Sequence, residues 1–283
     1  YFRWRVQLRK HIRVIISTAR HNLIAFYRLF SLNSFALRFF LPFMTMATAW
    51  ILYRVVFGSE NLKASFGVYS SLDYLTFVII GQAIFVYMYA TVFQVGRVFY
   101  WERMGGTIES LFLSPVSRRA YMLGHVCYAM LNATLDFIII FIAGIFIFEV
   151  RITYLNPILL FIGIGMTVVS LFGVGLVVNA ITLSLRDRTN TANILTLIFF
   201  IFSGAIVPIE MLPEWGKLIG QILPLTYSLK IIRGTIVPDV TIFDFTEEVL
   251  ILIFISLLLL VIGFIFLIRI ERSLKQKGEL TVF

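Results

Sequence analysis

The sequence predicts an all-α membrane protein with six transmembrane helices, preceded by an amphipathic helix lying along the membrane surface. Three observations predict it. Of 283 residues, 60% are hydrophobic and only 14% charged, against about 45–50% and about 25% in soluble domains, so lipid must solvate much of the surface. Charge-free runs recur near the length of about 20 residues that a helix needs to cross the hydrocarbon core. The net charge of +9 comes from bases interleaved with those runs, the distribution of a membrane surface and not of a nucleic-acid groove.

Residues 1–30 form no span. On a helical wheel Trp4, Leu8, Ile12, Ile15, Ala19 and Leu23 make an apolar stripe, with Arg5, Arg9, Arg13 and Arg20 along an adjoining face. This is the pattern of an N-terminal interface helix whose bases lie near anionic headgroups. A basic surface helix docked on a partner is the alternative. The segment Tyr1 to Arg13 lacks a signal-peptide cleavage pattern, and with Tyr in first place the numbering is expected to begin inside the natural gene product.

Residues 31–270 hold the spans. Asn33 to Val56 is the first, despite Pro42 and despite Arg38, which lies close enough to one end to snorkel. Leu75 to Gly96 follows, with Gln82 and Gln94 its strongest polar residues. Tyr121 to Phe148 is interrupted by Asn132 and Asp136. Ile158 to Leu185 is free of charge and long enough to span with tilt. Asn193 to Val207 is short, and Val249 to Ile268 is the clearest of the six, closed by Arg269, Glu271 and Arg272. Residues 271–283 are a tail. Eighteen of the 24 Lys and Arg fall in the N-terminal segment through Arg38, the 97–119 loop, the 186–191 turn and the end of the chain from Arg269, which places all four in the cytoplasm. The other six, Arg54, Lys63, Arg151, Lys217, Lys230 and Arg233, fall in the opposite, outer loops.

Two stretches are irregular. The loop Arg97 to Arg119 reads RVFYWERMGGTIESLFLSPVSRR. Glu102 and Arg103 lie just beyond a span, and Gly105-Gly106 permits a sharp break. Thr107 is placed to cap a short helix containing Glu109, Leu111 and Phe112 before Pro115 stops it. Such a helix suits a cytoplasmic partner, and an ordinary amphipathic loop is the alternative. The segment Ser203 to Val237 is cut by Pro208, Pro213 and Pro224, which excludes one straight helix. It predicts two short helices dipping into the outer leaflet, starting near Pro213 and Pro224.

No enzyme motif is present: there is no GxxxxGK[ST] phosphate loop, no HExxH and no GxSxG. Cys127 is the single cysteine and there are three histidines, so neither a disulfide nor a metal site is expected. The chain is not expected to hydrolyse ATP by itself, and no residue is assigned to catalysis, a cofactor or a metal. Asp136 is costly in mid-span unless paired or facing water. Asn132 lies one turn earlier on the same face, so the two form either a polar spot on a translocation path or a structural contact between helices. The aromatic cluster Phe85, Tyr87, Tyr89 and Phe93 is read as ordinary packing.

The loop resembles the pattern E-x-x-x-G-T-x-E-x-L-x-x-S-P-V-S of ABC type 2 exporter permeases. The stretch SGAIVPIEMLPEWGKLIGQILPLTYSLKIIRG resembles their second hallmark, SG-x-x-x-P followed by LP-x-TY and RG. The likeness is closest to the drug-resistance and Nod-factor-export branch, since polysaccharide-export permeases usually carry Asn-Pro where Pro224-Leu225 stands. The resemblance implies a six-span layout over essentially the whole chain, in the plasma or inner membrane. It implies an ATP-binding partner subunit, carrying ATP and Mg, that docks on Glu102, Arg103, Gly105, Gly106, Thr107 and Glu109. It makes the Pro208, Pro213, Pro224 and Tyr227 region a re-entrant outer gate over residues 208–237, and has a second copy or a related permease complete the pore. The expected cargo is an amphipathic, drug-like, lipid or glycolipid molecule moved outward. A glycan-export permease, an ion-coupled carrier and a non-pumping scaffold are the alternatives.

Overall fold

A computed structural model describes residues 2–29, 32–51, 74–96, 98, 102, 104–113, 117–148, 154–184, 188–237 and 242–277. Among these the regular structure is all helical. The helices are α1 (Phe2–Leu29), α2 (Leu32–Ile51), α3 (Tyr74–Ala90), α4 (Ile108–Leu113), α5 (Arg118–Phe146), α6 (Pro157–Ser184), α7 (Arg188–Phe202), α8 (Glu214–Ile222), α9 (Pro224–Gly234) and α10 (Thr246–Lys277). Among the described residues four segments are long and apolar enough to cross a membrane: Tyr74–Val95, Ala120–Phe146, Pro157–Thr182 and Phe243–Arg269. The sequence-read span Asn33 to Val56 is helical to Ile51, beyond which it lies outside the described residues, as does the side chain of Arg38.

Helix starts follow local chemistry. Asn156 accepts the Leu159 N–H at 3.1 Å and Pro157 takes the first position of α6, where a missing N–H costs nothing. Ser117 similarly accepts from the Ala120 N–H at the start of α5. Pro224 opens α9, and Pro213 immediately precedes α8. The two short helices predicted from the proline spacing are therefore present.

Helix α3 is apolar all round and almost wholly buried, which makes it the centre of the bundle. Helices α5, α6 and α9 surround it, and α10 lies along α6. The outer faces of α5 and α10 stay exposed and apolar, with Leu131, Ile138, Ile142, Phe254 and Leu257 among the residues left for lipid. The aromatics of α3 divide: Phe85 and Tyr87 are buried in the core, whereas Tyr89 is half-exposed and stacks on Phe93 with ring centroids 4.5 Å apart.

Helix α3 ends in a π turn, Thr91–Val95. The Thr91 hydroxyl donates to the Tyr87 carbonyl at 2.7 Å, and the Gly96 N–H reaches back five residues to the Thr91 carbonyl. Close approach here needs glycine. A Cβ on Gly96 would stand 2.7 Å from Val178 Cγ1, and one on Gly175 would stand 2.9 Å from Thr91 Cγ2.

In α1 the stripe read from the sequence and the face that packs are offset. Ile15, Thr18 and Asn22 meet α5, whereas Ile12 and Ile16 stay exposed and the side chains of Trp4, Leu8, Arg5 and Arg9 lie outside the described residues. The short span read as Asn193 to Val207 also needs correction: α7 stops at Phe202, and Ser203 to Val207 is not helical. Gly204 adopts φ 82°, a left-handed conformation that ends a helix.

In lipid, helix packing rests on close contact and not on burial from water. A Cβ on Gly263 would lie 2.6 Å from Leu176 Cβ, so α6 and α10 touch backbone to side chain there. Replacing Gly263 by Ile should force them apart and cost about 1–3 kcal/mol, the usual range for overpacking. Thermal unfolding of detergent-solubilised protein would show it, with Gly165→Ala, where an added Cβ meets nothing within 4 Å, neutral or slightly stabilising.

Candidate functional site

Two constellations stand at opposite ends of α3. The first is the loop at its C-terminal end. The end of α3 is fixed from α6: the Asn179 amide donates to the Val95 carbonyl at 2.8 Å and the Thr182 hydroxyl to the Gly96 carbonyl at 3.0 Å. These carbonyls belong to the last residue of the π turn and to its cap, so α6 holds the end of α3 by its backbone. The loop therefore leaves from a held point.

Glu102 organises the turn beyond that point. Its carbonyl accepts the Thr107 N–H at 2.9 Å, closing a turn through Met104, Gly105 and Gly106. Its carboxylate accepts the Thr107 hydroxyl at 2.5 Å and, on the other oxygen, the Tyr121 hydroxyl. The Thr107 side chain thus turns back to Glu102, and its backbone carbonyl accepts the Leu111 N–H at 3.0 Å to start α4. Gly106 has φ 69° and its absent Cβ would touch nothing within 4 Å. Its requirement is conformational, not spatial. The turn stands out from the bundle with Met104, Gly105, Gly106 and Thr107 exposed, and Leu113 is 87% exposed at the end of α4.

Of the loop residues singled out from sequence, the structure brings Glu102, Gly105, Gly106 and Thr107 into one turn. Glu109 lies on α4, with its side chain outside the described residues, and Arg103 and Pro115 lie outside them altogether. Sequence reading missed Tyr121, which fixes Glu102 from α5. Its only sequence signal is an aromatic hydroxyl in the first turn of the following span.

The second constellation joins the start of α3 to α7, α8 and α9. Arg233 is 3% exposed. Its guanidinium donates to the carbonyls of Gly204 at 2.9 Å, Ala205 at 3.0 Å and Phe77 at 3.0 Å, and its Cζ lies 3.3 Å from the centre of the Phe77 ring. Gly81 admits the Ser203–Ala205 strip, since a Cβ there would fall 1.9 Å from the Ala205 oxygen. The end of α8 is handled in the same way from α9: the Thr226 hydroxyl donates to the Gly220 carbonyl at 2.7 Å, and the Tyr227 hydroxyl to the Gln221 carbonyl at 2.8 Å. The SG and RG elements of the sequence are two sides of one contact, and the TY pair closes the helix before it.

Pro208 is buried and precedes a short 3-10 turn, Ile209–Met211, while Pro213 is exposed. One face of α8 presents Trp215, Leu218 and Ile222, each more than 60% exposed. Counting bases along the sequence puts Arg233 in an outer loop. The structure instead places it inside the protein.

Asn132 and Asp136 are both buried in α5. The Asn132 amide donates at 3.2 Å to the Tyr128 carbonyl one turn back, so it satisfies its own helix. Among the described residues no three His, Cys, Asp or Glu gather as a metal site. A hollow of about 180 Å³ between α2 and α5 is lined by Phe39, Pro42, Phe43, Met46, Ile139, Ile140 and Ala143, without a polar side chain.

The family model described as ABC-2 type transporter matches residues 15–237, a range holding both constellations. No curated protein matches the chain.

Removing the Arg233 head strands the buried Gly204 and Ala205 carbonyls, whereas Phe77 keeps its place in the helical ladder of α3. Arg233→Met, which keeps an unbranched apolar stem, should destabilise the protein by about 2 kcal/mol or more, since each orphaned acceptor costs about 1–3 kcal/mol. Backbone amides of Ser203 to Val207 should lose hydrogen-exchange protection in the same variant. Arg233→Lys should be intermediate, because an ammonium cannot reproduce the planar fork.

Proposed function

Because the chain belongs to the ABC-2 type transporter family and is a multi-pass membrane permease subunit of an ABC transporter, we propose that it is the pathway-forming subunit of an exporter driven by a separate ATP-binding subunit. The observation that carries the docking assignment is the turn closed by Glu102 and Thr107. It is exposed, internally pinned and succeeded at once by a short helix, the shape of a rigid handle. On this reading the nucleotide-binding subunit, with its ATP and Mg, engages Glu102, Arg103, Gly105, Gly106, Thr107 and Glu109.

The same reading has six spans, with α2 and α7 completing the set, α1 in the interface, and both termini and the 97–119 loop on the cytoplasmic side of the plasma membrane. Two copies, or this chain and a related permease, enclose the pathway. The exposed apolar face of α8, Trp215, Leu218 and Ile222, supports a short helix dipping into the outer leaflet. Pro208, Pro213, Pro224 and Tyr227 then shape the outer gate. The apolar lining of the hollow between α2 and α5 favours an amphipathic, drug-like or lipid-like cargo, and the Pro224 start of α9 favours the drug-resistance and Nod-factor branch over glycan export. Asn132 and Asp136 are the polar residues proposed for the pathway.

Affinity purification from native membranes should bring down an ATP-binding cassette subunit. Glu102→Ala, which opens the turn, and Gly106→Val, which forces a β-branched residue into a left-handed conformation, should each leave the permease folded. Both should abolish its stimulation of the subunit's ATP hydrolysis. Full stimulation by both variants would overturn the docking assignment.

A further inference from the structure

The first two turns of α5 carry a polar chain that the docking assignment does not use. Tyr121 gives its hydroxyl to the Glu102 carboxylate. Its ring meets the His125 ring edge-on, with centroids 4.8 Å apart and planes inclined by 66°. On its far side His125 accepts the Asn22 amide of α1 at Nδ1, at 3.2 Å. Between these contacts Gly124 lets α1 lie directly on α5, since a Cβ there would stand 2.6 Å from Thr18 Cβ and 2.9 Å from the Ile15 carbonyl oxygen. Thr18 is accordingly buried, whereas most of the described side chains of α1 are exposed. Thr107, Glu102, Tyr121, His125 and Asn22 thus form one continuous path from the exposed turn to the N-terminal helix.

The path is stiff where it matters. Gly124 allows no slack between α1 and α5, and His125 is gripped on one edge by Tyr121 and on one nitrogen by Asn22. The Glu102 carboxylate is held from both sides, so the turn cannot swing without pulling on the Tyr121 hydroxyl. By contrast, the chain entering the loop is clamped to α6 by Asn179 and Thr182. The loop thus has one end tied to the central bundle and the other tied, through Tyr121, to the α1–α5 pair.

We propose that Tyr121 is a positioning residue for energy coupling, joining the Glu102 turn to α1 through His125 and Asn22 so that turn, first turns of α5 and N-terminal helix move as one body. The proposal rests on the reading that an ATP-binding subunit pushes on this turn. It extends that reading by naming where the push is delivered: to the helix proposed to lie in the membrane interface.

Tyr121→Phe removes the hydroxyl and keeps the ring on His125, and Glu102→Gln keeps an acceptor for Tyr121 and a hydrogen-bonding group for Thr107. Hydrogen exchange on the full chain in lipid nanodiscs should show amides of residues 104–113 and those around Asn22 exchanging about tenfold faster in Tyr121→Phe, the weight of one hydrogen bond to a carboxylate. The amides of α6 and α10 should be unchanged, and Glu102→Gln, whose neutral hydrogen bonds are weaker than a carboxylate's, should lie between the parent and Tyr121→Phe. Faster exchange confined to residues 104–113, or none, would overturn the link to α1. In the complex with the co-purifying ATP-binding subunit, Tyr121→Phe should retain that subunit fully yet lose several-fold in stimulated hydrolysis, with Gly165→Ala, far from the loop and open to an added Cβ, near the parent. Undiminished hydrolysis in Tyr121→Phe would overturn the coupling role. Were no such subunit to bind the parent chain, the docking assignment and the coupling role would both fail, and the exchange pattern would still decide whether the turn and α1 form one body.

Discussion

A helix that stops inside an apolar bundle leaves carbonyls that no water can reach, and this fold depends on how those carbonyls find donors. The cost of leaving one unpaired is several kcal/mol in hydrocarbon. The break after Phe202 is the severest case, because the chain there runs through Gly204 to Val207 without helical structure and against the start of the central helix. Arg233 meets it with the one side chain that offers a planar fork of donors and a permanent charge. Its bonds to Gly204, Ala205 and Phe77 hold α3, α9 and the end of α7 in a fixed mutual position. The Phe77 ring beneath the guanidinium adds a cation–π contact where solvent is excluded. Burial of a charge is tolerable here because carbonyl dipoles on two chain segments surround it.

The same requirement recurs with weaker donors. The last carbonyls of α8 are taken by the Thr226 and Tyr227 hydroxyls from the next helix. The carbonyls of Val95 and Gly96, at the end of the π turn, accept from Asn179 and Thr182 of α6. In each case the donor comes from a neighbouring helix, so satisfying a broken end also sets the contact between elements. Glycine is the necessary complement. Gly81, Gly96 and Gly220 lie where a broken segment meets a helix, and a Cβ at any of them would fall within 2.6 Å of a carbonyl oxygen. Donor and glycine together permit an irregular backbone at a depth where either alone would fail.

This division explains what the sequence disclosed. Charge-free length located the long helices, and proline spacing located α8 and α9, because hydrocarbon thickness and ring geometry act on every chain alike. The stop of α7 was less visible: Asn193 to Val207 reads as one apolar run, and the Gly204 conformation that ends it is stabilised by an arginine 29 positions away. Arg233 itself was misplaced because counting bases assigns each to a surface, whereas this one is inside. The offset of the α1 face has a related cause. A wheel drawn on hydrophobicity finds Ile12 and Leu23, but the contact with α5 is chosen by the small Gly124 opposite Thr18 and by the Asn22–His125 bond. In the candidate site, Glu102, Gly106 and Thr107 were legible as a turn because acid, glycine and hydroxyl recur at turn spacing. Tyr121 was not, since nothing local marks the partner of a carboxylate across a loop.

The position of α3 ties the two ends together and limits how any displacement can travel. Its start is gripped through Phe77 by Arg233, its body is buried on all sides, and its end is gripped by Asn179 and Thr182. A helix held in this way transmits force along its axis but cannot rotate or slide without breaking contacts at both ends together. Its least regular part is the π turn at Thr91–Val95, and such turns are frequent at functional sites. This one, however, is wedged against Gly175 and Val178, which stiffens it. Motion imposed on the Glu102 turn therefore meets an unyielding anchor on the side of α3 and α6. On the other side stand α1 and α5, whose outward faces stay exposed among the described residues. Helix α5 is itself packed along α3 and its π turn, so on the proposed coupling a displacement that reaches Tyr121 passes to α1, the less buried partner, through the contacts at Gly124 and His125.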